Sequence, residues 1–268
     1  MTSLDSTHRD VGKVLMTGAS GRLGQMMHSR LSEMFDLTLT DVIPPPDLYH
    51  VPIEIADLAD ADAVDALMAG VDTVVHLAGT SKEMSFAATK RANIDAVINL
   101  YESARRAGVK RVVFAGSHHV VGYYSTDEFV EVKDPVRPDS FYAVTKCFAE
   151  AMASLYFDKF GIETVMLRIG SCTEAPTDAR MLRTWISPRD MTNLVIRSLL
   201  SADVSYKTVF AVSDNPGRLW ALEDGRSLGW TPLDSTQGFD LSSEAAERPH
   251  YDEYHGGVFT TQVPPDSV

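Results

Sequence analysis

Apolar and polar positions along this chain follow two alternating periods. Residues 11–17 form a short apolar run that leads into Gly18-Ala19-Ser20-Gly21-Arg22-Leu23-Gly24, and over residues 23–34 the apolar positions return at helical spacing. This predicts strand, tight turn and helix. Residues 37–40 predict a second strand ending at Asp41, Pro44-Pro45-Pro46 enforces a loop, and residues 51–55 predict a third strand. Helical spacing over 57–69 is followed by a continuous β-branched run over 72–78, of the kind expected for a strand buried on both faces. The longest helical pattern covers 86–107. A buried strand over 111–115, a helix over 142–160 and a sixth strand over 164–169 follow, and residues 207–212 predict a seventh.

Parallel neighbours need crossover connections, so this alternation predicts an α/β fold, a Rossmann-type doubly wound parallel sheet of about seven strands with helices on both faces. Ser187-Pro188-Arg189-Asp190 reads as a helix start, with Ser as N-cap, Pro at the first helical position and a carboxylate at the third. From Gly217 onward the chain is rich in Gly, Pro, Ser and short polar runs. Residues 1–268 are therefore expected to form one dinucleotide-binding domain, with 171–186 and 217–268 as a small, irregular substrate-side region. No repeat or low-complexity segment interrupts it.

Composition narrows the partners. Hydrophobic residues make up 44% of the 268 and charged residues 23%, and no stretch approaches the roughly 18 consecutive apolar residues of a membrane span. No membrane partner is expected. A formal charge of −13 argues against nucleic acid, because a phosphate backbone demands a surplus of Lys and Arg. Surface carboxylate in such excess also suits a salty cytoplasm. Residues 1–10 are polar and lack the apolar centre of a secretory signal, so a loose leader and a cytoplasmic setting are expected. Cys147 and Cys172 form no CxxC pair and read as packing thiols.

Three glycines between strand and helix let backbone amides approach a pyrophosphate, whose charge the helix N-terminus stabilises. Gly18, Gly21 and Gly24 are placed to do this, with Ser20, Arg22 and Leu23 beside them on the same loop. Asp41 stands at the end of the second strand, about 20 residues on, where a carboxylate accepts hydrogen bonds from both adenosine ribose hydroxyls and repels a 2′-phosphate. NAD is the expected cofactor; Arg22 is a cation that partly offsets the repulsion. For Asp41 the alternative is a strand-end turn residue. Asp57, followed by Leu58, is a candidate for the adenine edge, the alternative being an ordinary helix N-cap.

Tyr142 and Lys146 lie four residues apart, hence on one face of a helix. A phenol of ordinary pKa about 10 is a poor base at neutral pH, but a neighbouring ammonium and a positive nicotinamide favour the phenolate. Tyr142 is thus the candidate general base. Ser117, just past the fifth strand, is placed to steady the substrate oxygen, unless it is merely a turn serine. Asn93 is a poor helix former inside the long helix, which points either to a proton or water chain or to a solvent-facing amide. His118 and His119, read as adjacent strand residues, point to opposite faces and have no further ligand at metal spacing; a contact to a substrate hydroxyl is expected instead, and no metal. His250 and His255 read as surface residues.

With the glycine loop, Asp41, the Asp57-Leu58 pair, Ser117 and Tyr142-Ala143-Val144-Thr145-Lys146 in order, residues 11–213 resemble the extended short-chain dehydrogenase/reductases. More narrowly, residues 117–124, 141–150 and 156–161 and the Leu167-Arg168-Ile169-Gly170-Ser171-Cys172 run are similar to a branch of that family, the bacterial uronate dehydrogenases. The resemblance implies oxidation of a hexuronic acid, D-glucuronate or D-galacturonate in its pyranose form, at C1 to the aldarolactone with NAD⁺. It implies a homo-oligomer, and Leu77, Ala78 and Gly79 along the cofactor together with Tyr142 and Lys146. It also places Ser81, Ser117, His118, His119, Tyr142, Ser171 and Arg180 around the sugar, the Arg180 guanidinium being apt for a carboxylate. The family pattern has Asn beside the catalytic serine where this chain has His118, which puts the hydroxyl contact there in question. Two other functions compete: a nucleotide-sugar epimerase or reductase of the same family, and a non-catalytic NAD-sensing regulator. The first usually needs a larger substrate region; the second has no use for Tyr142 and Lys146 together.

Overall fold

The computed structural model describes residues 9–44, 52–82, 84–202, 204–241 and 253–263. The first eight residues of the expected leader, Pro45, Pro46, Val51 and His250 lie outside them. Seven parallel strands form one sheet: β1 (Lys13–Thr17), β2 (Asp36–Asp41), β3 (Ile53–Ile55), β4 (Thr73–His76), β5 (Arg111–Ser117), β6 (Glu163–Ile169) and β9 (Tyr206–Ala211). Their order is β3-β2-β1-β4-β5-β6-β9. These are the seven strands that the hydrophobic pattern predicts. The order reverses direction between β1 and β4, and a doubly wound sheet opens a crevice at that point, outside the carboxyl ends of its strands.

Burial on both faces explains why the strands read as continuous apolar runs. Along β1, Val14 and Met16 pack on one side with Met27 and Leu31 of α1 (Arg22–Ser32) and Leu194 of α7 (Pro188–Leu200). Leu15 turns to the other face, against Val64 of α2 (Ala61–Leu67), Leu100 of α4 (Ala96–Ala107) and Ala153 of α5 (Phe141–Phe160). Period two recurs on β5, where Val112 and Phe114 share the Leu15 side and Val113 the Met16 side. Cutting a buried leucine such as Leu15 to alanine costs about 2–5 kcal/mol in a core of this kind.

Local chemistry sets the ends of the helices. The Ser187 hydroxyl accepts from Asp190 N at 2.9 Å, the N-cap that the Ser-Pro-Arg-Asp run predicts. Arg111, fully buried at the start of β5, donates through Nη1 to the carbonyls of Ser198, Leu199 and Ser201 and so closes the other end of α7. Its charge is met by Glu163 at 2.8 Å. The predicted helix over 86–107 is continuous but not uniform: α3 (Phe86–Lys90) passes through a widened π-turn (Arg91–Asp95) into α4. Such turns gather at functional sites, and Asn93 sits in this one.

Described residues after β6 add short elements beside the sheet. Two two-residue strands, β7 (Ser171–Cys172) and β8 (Trp185–Ile186), pair in parallel around the short α6 (Met181–Thr184), and α8 (Glu223–Arg226) follows β9. His255, expected at the surface, is instead fully buried: its Nδ1 accepts from Trp220 Nε1 at 3.1 Å and its Nε2 donates to the Glu128 carbonyl at 3.1 Å. Irregular backbone here does not mean exposed backbone. Among the described residues no helix is long and apolar enough to cross a membrane.

Candidate active site

A cleft of about 550 Å³ opens at the carboxyl ends of β1, β4, β5 and β6. Its lining joins the glycine loop (Gly18, Gly21, Arg22, Leu23), the end of β4 (Leu77, Ala78, Gly79, Ser81), Ser117, His118, His119, Tyr142, Lys146, Ser171 and Arg180. Most of the residues predicted from widely spaced segments thus meet in one place.

The loop is cut to fit close backbone approach. Gly18 has φ +73°, and a Cβ there would fall 2.5 Å from Ala78 N. At Gly24 a Cβ would lie 2.4 Å from the Ala19 carbonyl oxygen, so glycine lets α1 pack against the turn that feeds it. The N-terminus of α1 has Gly21 as its cap, no side-chain cap bond and no acidic residue in its first turn. Its amides are left for an anion. Asp41 Oδ2 accepts from Ser20 N at 2.8 Å and its Oδ1 from Val42 N at 2.7 Å, so the carboxylate is tied to the loop at the strand end. A backbone cradle, an open helix end and a carboxylate at the second strand's end suit a dinucleotide with a free ribose diol.

Ser20, Gly24, Asp41, Asp57, Leu58 and Asn93 are not among the residues lining the cleft. The N-cap of α2 is not Asp57 but Asp60, whose side chain accepts from Asp62 N and Ala63 N. Asp57 accepts from Ala59 N at 2.9 Å and pairs with Arg91 of the π-turn, contacts that hold its carboxyl below the usual range. Leu58 packs in the core beneath it, its carbonyl accepting from Asn99 Nδ2.

The chemistry gathers on the first turns of α5. Ser140 caps that helix through Ala143 N at 3.1 Å, which places Tyr142 and Lys146 on its inner face. Lys146 Nζ donates to the Ala115 carbonyl at 2.8 Å and stands 5.7 Å from the centre of the Tyr142 ring. Burial pushes the Tyr142 phenol up to about 12 and the Lys146 ammonium down to about 8. Burial dominates in the protein by itself, and the group opposing it is the Ser117 hydroxyl, hydrogen-bonded to the phenol. Ser117 also accepts from His119 N at 3.2 Å, so it serves the turn and the site together.

Asn93 is buried, not solvent-facing. Its Nδ2 donates to the Thr80 carbonyl and to the Thr145 hydroxyl, each at 3.0 Å, and its Oδ1 accepts from Thr80 N at 2.9 Å. Both amide hydrogens are committed. The side chain is neither solvent-facing nor in the cleft; it braces the loop after β4 against α5.

The two histidines do not continue the strand. Their rings lie 4.1 Å apart in a 3₁₀ turn (His118–Val121) rather than on opposite faces, because the Ser117 hydroxyl captures His119 N and bends the chain. His118 Nδ1 donates to the Ile169 carbonyl at 2.8 Å, and its buried Nε2 has no partner among the described residues. His119 Nδ1 bonds Asp139 Oδ2 at 2.7 Å. Among the described residues no group of three or more His, Cys, Asp or Glu is placed to hold a metal. Burial pushes the Cys172 thiol up to about 12 and that of Cys147 up to about 11, which disfavours the thiolate at both.

Arg180 is half-buried at the cleft, with Nη1 on the His255 carbonyl at 3.2 Å and Nη2 on the Ser171 hydroxyl at 3.5 Å. Phe259, in the tail that carries no motif, reaches the cleft and packs 4.1 Å from the His119 ring. No local pattern marks it, or Asp139 either.

Three comparisons bear on these residues. Over residues 14–187 the chain matches the NAD dependent epimerase/dehydratase family. It is 40% identical to a uronate dehydrogenase of Pseudomonas syringae pv. tomato over 98% of both chains, and 42% identical to one of Agrobacterium fabrum over 85% of this chain and 86% of that one. A crystal structure of uronate dehydrogenase from Agrobacterium tumefaciens, a tyrosine-to-alanine mutant complexed with NAD, superposes with a TM-score of 0.90 at 38% identity, covering 96% of this chain and 99% of that one.

Proposed function

The chain belongs to the NAD-dependent epimerase/dehydratase family, in its uronate dehydrogenase branch, and from that premise we propose that it oxidises a hexuronic acid with NAD⁺. D-Glucuronate and D-galacturonate, as pyranoses oxidised at C1 to the aldarolactone, are the substrates of this reading. The observation that carries it is the meeting of Ser117, Tyr142, Lys146 and Arg180 with the glycine loop in one cleft.

Gly18, Gly21 and the N-terminus of α1 hold the pyrophosphate, Asp41 the adenosine ribose, and Leu77, Ala78 and Gly79 flank the dinucleotide. Bound there, NAD⁺ supplies the hydride acceptor and a positive ring beside the phenol. Lys146 adds a second positive charge under Tyr142, and Ser117 donates to the phenolate oxygen. These interactions act against the burial that holds the phenol at about 12. The anomeric hydroxyl then gives its proton to Tyr142 while Ser117 orients the reacting oxygen. Ser81, Ser171, His118 and His119 surround the sugar, and Arg180 takes the uronate carboxylate with paired N–H donors.

Residues 171–186 and 217–268 serve as the substrate-side region of one NAD-binding domain. A homo-oligomer in the cytoplasm is part of the same proposal; Ile98, Val144 and Leu155, apolar and exposed on α4 and α5, are side chains that assembly would cover. NADH formation with glucuronate, galacturonate and glucose tests the reading. Turnover of either uronate, and its loss by about 10²–10⁴-fold in Tyr142→Phe with dinucleotide binding kept, is expected. Binding of NAD⁺ without turnover of any sugar acid would count against an enzyme of this class.

A further inference from the structure

Asp139 precedes the Ser140 cap of α5, and its carboxylate is fully buried. Oδ2 meets His119 Nδ1 at 2.7 Å, and Oδ1 accepts from the Ser140 hydroxyl at 2.8 Å. Two glycines close on the same Oδ2: a Cβ on Gly122 or on Gly256 would lie 1.9 Å from it. Gly256 N in turn donates to the Gly122 carbonyl at 2.9 Å. One carboxylate therefore joins the turn bearing His119, the first turn of the helix bearing Tyr142, and the segment that delivers Phe259.

The His119 ring is held on three sides. His118 and Phe259 each pack 4.1 Å from it, and Tyr142 meets it edge-on at 5.9 Å. It lines the cleft, where about a tenth of the side chain is exposed. Burial lowers its pKa to about 3, with Arg180 adding to the effect, so the ring is neutral. A neutral imidazole that gives its Nδ1 hydrogen to a carboxylate has only a lone pair left on Nε2.

The geometry points to Asp139 as the positioning residue that fixes the tautomer of His119, making Nε2 a hydrogen-bond acceptor for a hydroxyl of the sugar held beside Tyr142. This deepens the uronate reading and rests on it for the identity of the sugar, but the tautomer itself does not depend on that reading. Without Asp139 the ring is free to carry its hydrogen on Nε2, and the site then offers a donor to a hydroxyl that must turn to accept.

The test begins with the full-length protein loaded with NAD⁺ and ¹⁵N-labelled at histidine, at pH 8, where Asp139, raised to about 6 by burial, is ionised. His119 is identified by subtraction with His119→Gln. A protonated Nδ1 and bare Nε2 are expected, and a dominant Nε2–H form overturns the proposal with no variant of Asp139 needing to fold. The second arm is a double-mutant cycle on glucuronate. Asp139→Asn is expected to raise KM about tenfold with kcat changed less than threefold, and to change KM less than twofold when placed on His119→Ala. Equal losses in the two backgrounds would mean that Asp139 does not act through His119 and would overturn the assignment. If no uronate is turned over, the functional reading fails, while the tautomer spectrum still decides the Asp139–His119 relationship.

Discussion

The side-chain amide of Asn93 donates to the Thr145 hydroxyl at 3.0 Å, joining the π-turn of one helix to the residue before Lys146 on another. The same side chain holds Thr80 by both its N–H and its carbonyl. Asn93→Ala removes three hydrogen bonds that tie the half-buried loop at Thr80 to Thr145 of α5, at about 0.5–1.5 kcal/mol each. The expected result is a melting temperature lower by roughly 5–10 °C together with a fall in kcat as α5 loses its brace. Asn93→Asp should not rescue it, because a carboxylate cannot donate to Thr145. A variant that melts and turns over like the parent would show that the brace is dispensable.

What could be read in the chain beforehand was whatever neighbours in sequence decide. The strands were legible because burial on both faces writes an unbroken apolar run, as over 72–78, and the loop because Gly18 and Gly24 stand where a Cβ collides with backbone. Ser187 was legible because a cap bonds three residues away. Two of the misreadings involve distant partners. His255 looks like a surface residue until Trp220 folds over it, 35 positions away, and Asn93 finds its partner on Thr145, 52 away. At His118 and His119 a local bond was at fault, the Ser117 hydroxyl bending what the apolar pattern continues as strand.

Asp41 is tied to Ser20 N and Val42 N, which aims the carboxylate while leaving lone pairs for a diol. Hydrogen bonds to a charged acceptor contribute about 1.5–3 kcal/mol each. Asp41→Ala should therefore weaken NADH binding by roughly 10- to 100-fold, and NADPH, relieved of repulsion, should bind more tightly than it does to the parent. Fluorescence titration of both dinucleotides measures this. An unchanged ratio of the two affinities would remove Asp41 from the ribose.

Acid should unfold the protein early. Burial lowers His76 and His119 to about 3 and His255 to about 4, from an ordinary 6.5. Below pH 6.5 the unfolded chain binds protons at these sites that the folded chain refuses, so their contribution is present above 6.5 and is lost as pH falls towards 4. Asp139 acts the other way: raised from 3.8 to about 6, it holds a proton in the folded state between those values and gains stability on acidification. Burial also drives His118 well below 6.5, so four sites outweigh one. Near pH 5 the net uptake on unfolding is about three protons, equivalent to about 4 kcal/mol per pH unit. Melting curves from pH 7.5 to 5 should be level at first and then drop by several degrees per unit; a level profile throughout would mean that these histidines are protonated in the fold.

In the proposed reading Arg180 discriminates between substrates and takes no part in the chemistry. Its Nη1 is on the His255 carbonyl at 3.2 Å and its Nη2 reaches the Ser171 hydroxyl at 3.5 Å. Gly257, at φ +57°, packs so close that a Cβ would lie 2.6 Å from Arg180 Nε, which holds the guanidinium at a fixed angle to the cleft. A uronate carboxylate bound by paired N–H donors contributes about 2–3 kcal/mol, so Arg180→Ala should cut kcat/KM on glucuronate roughly 30- to 150-fold. Oxidation of glucose, which has no carboxylate to lose, should change less than threefold. Arg180→Lys keeps the charge but not the fork, and an intermediate loss is expected from it. If both sugars suffer equally, Arg180 supports the wall of the cleft through His255 and does not read the acid.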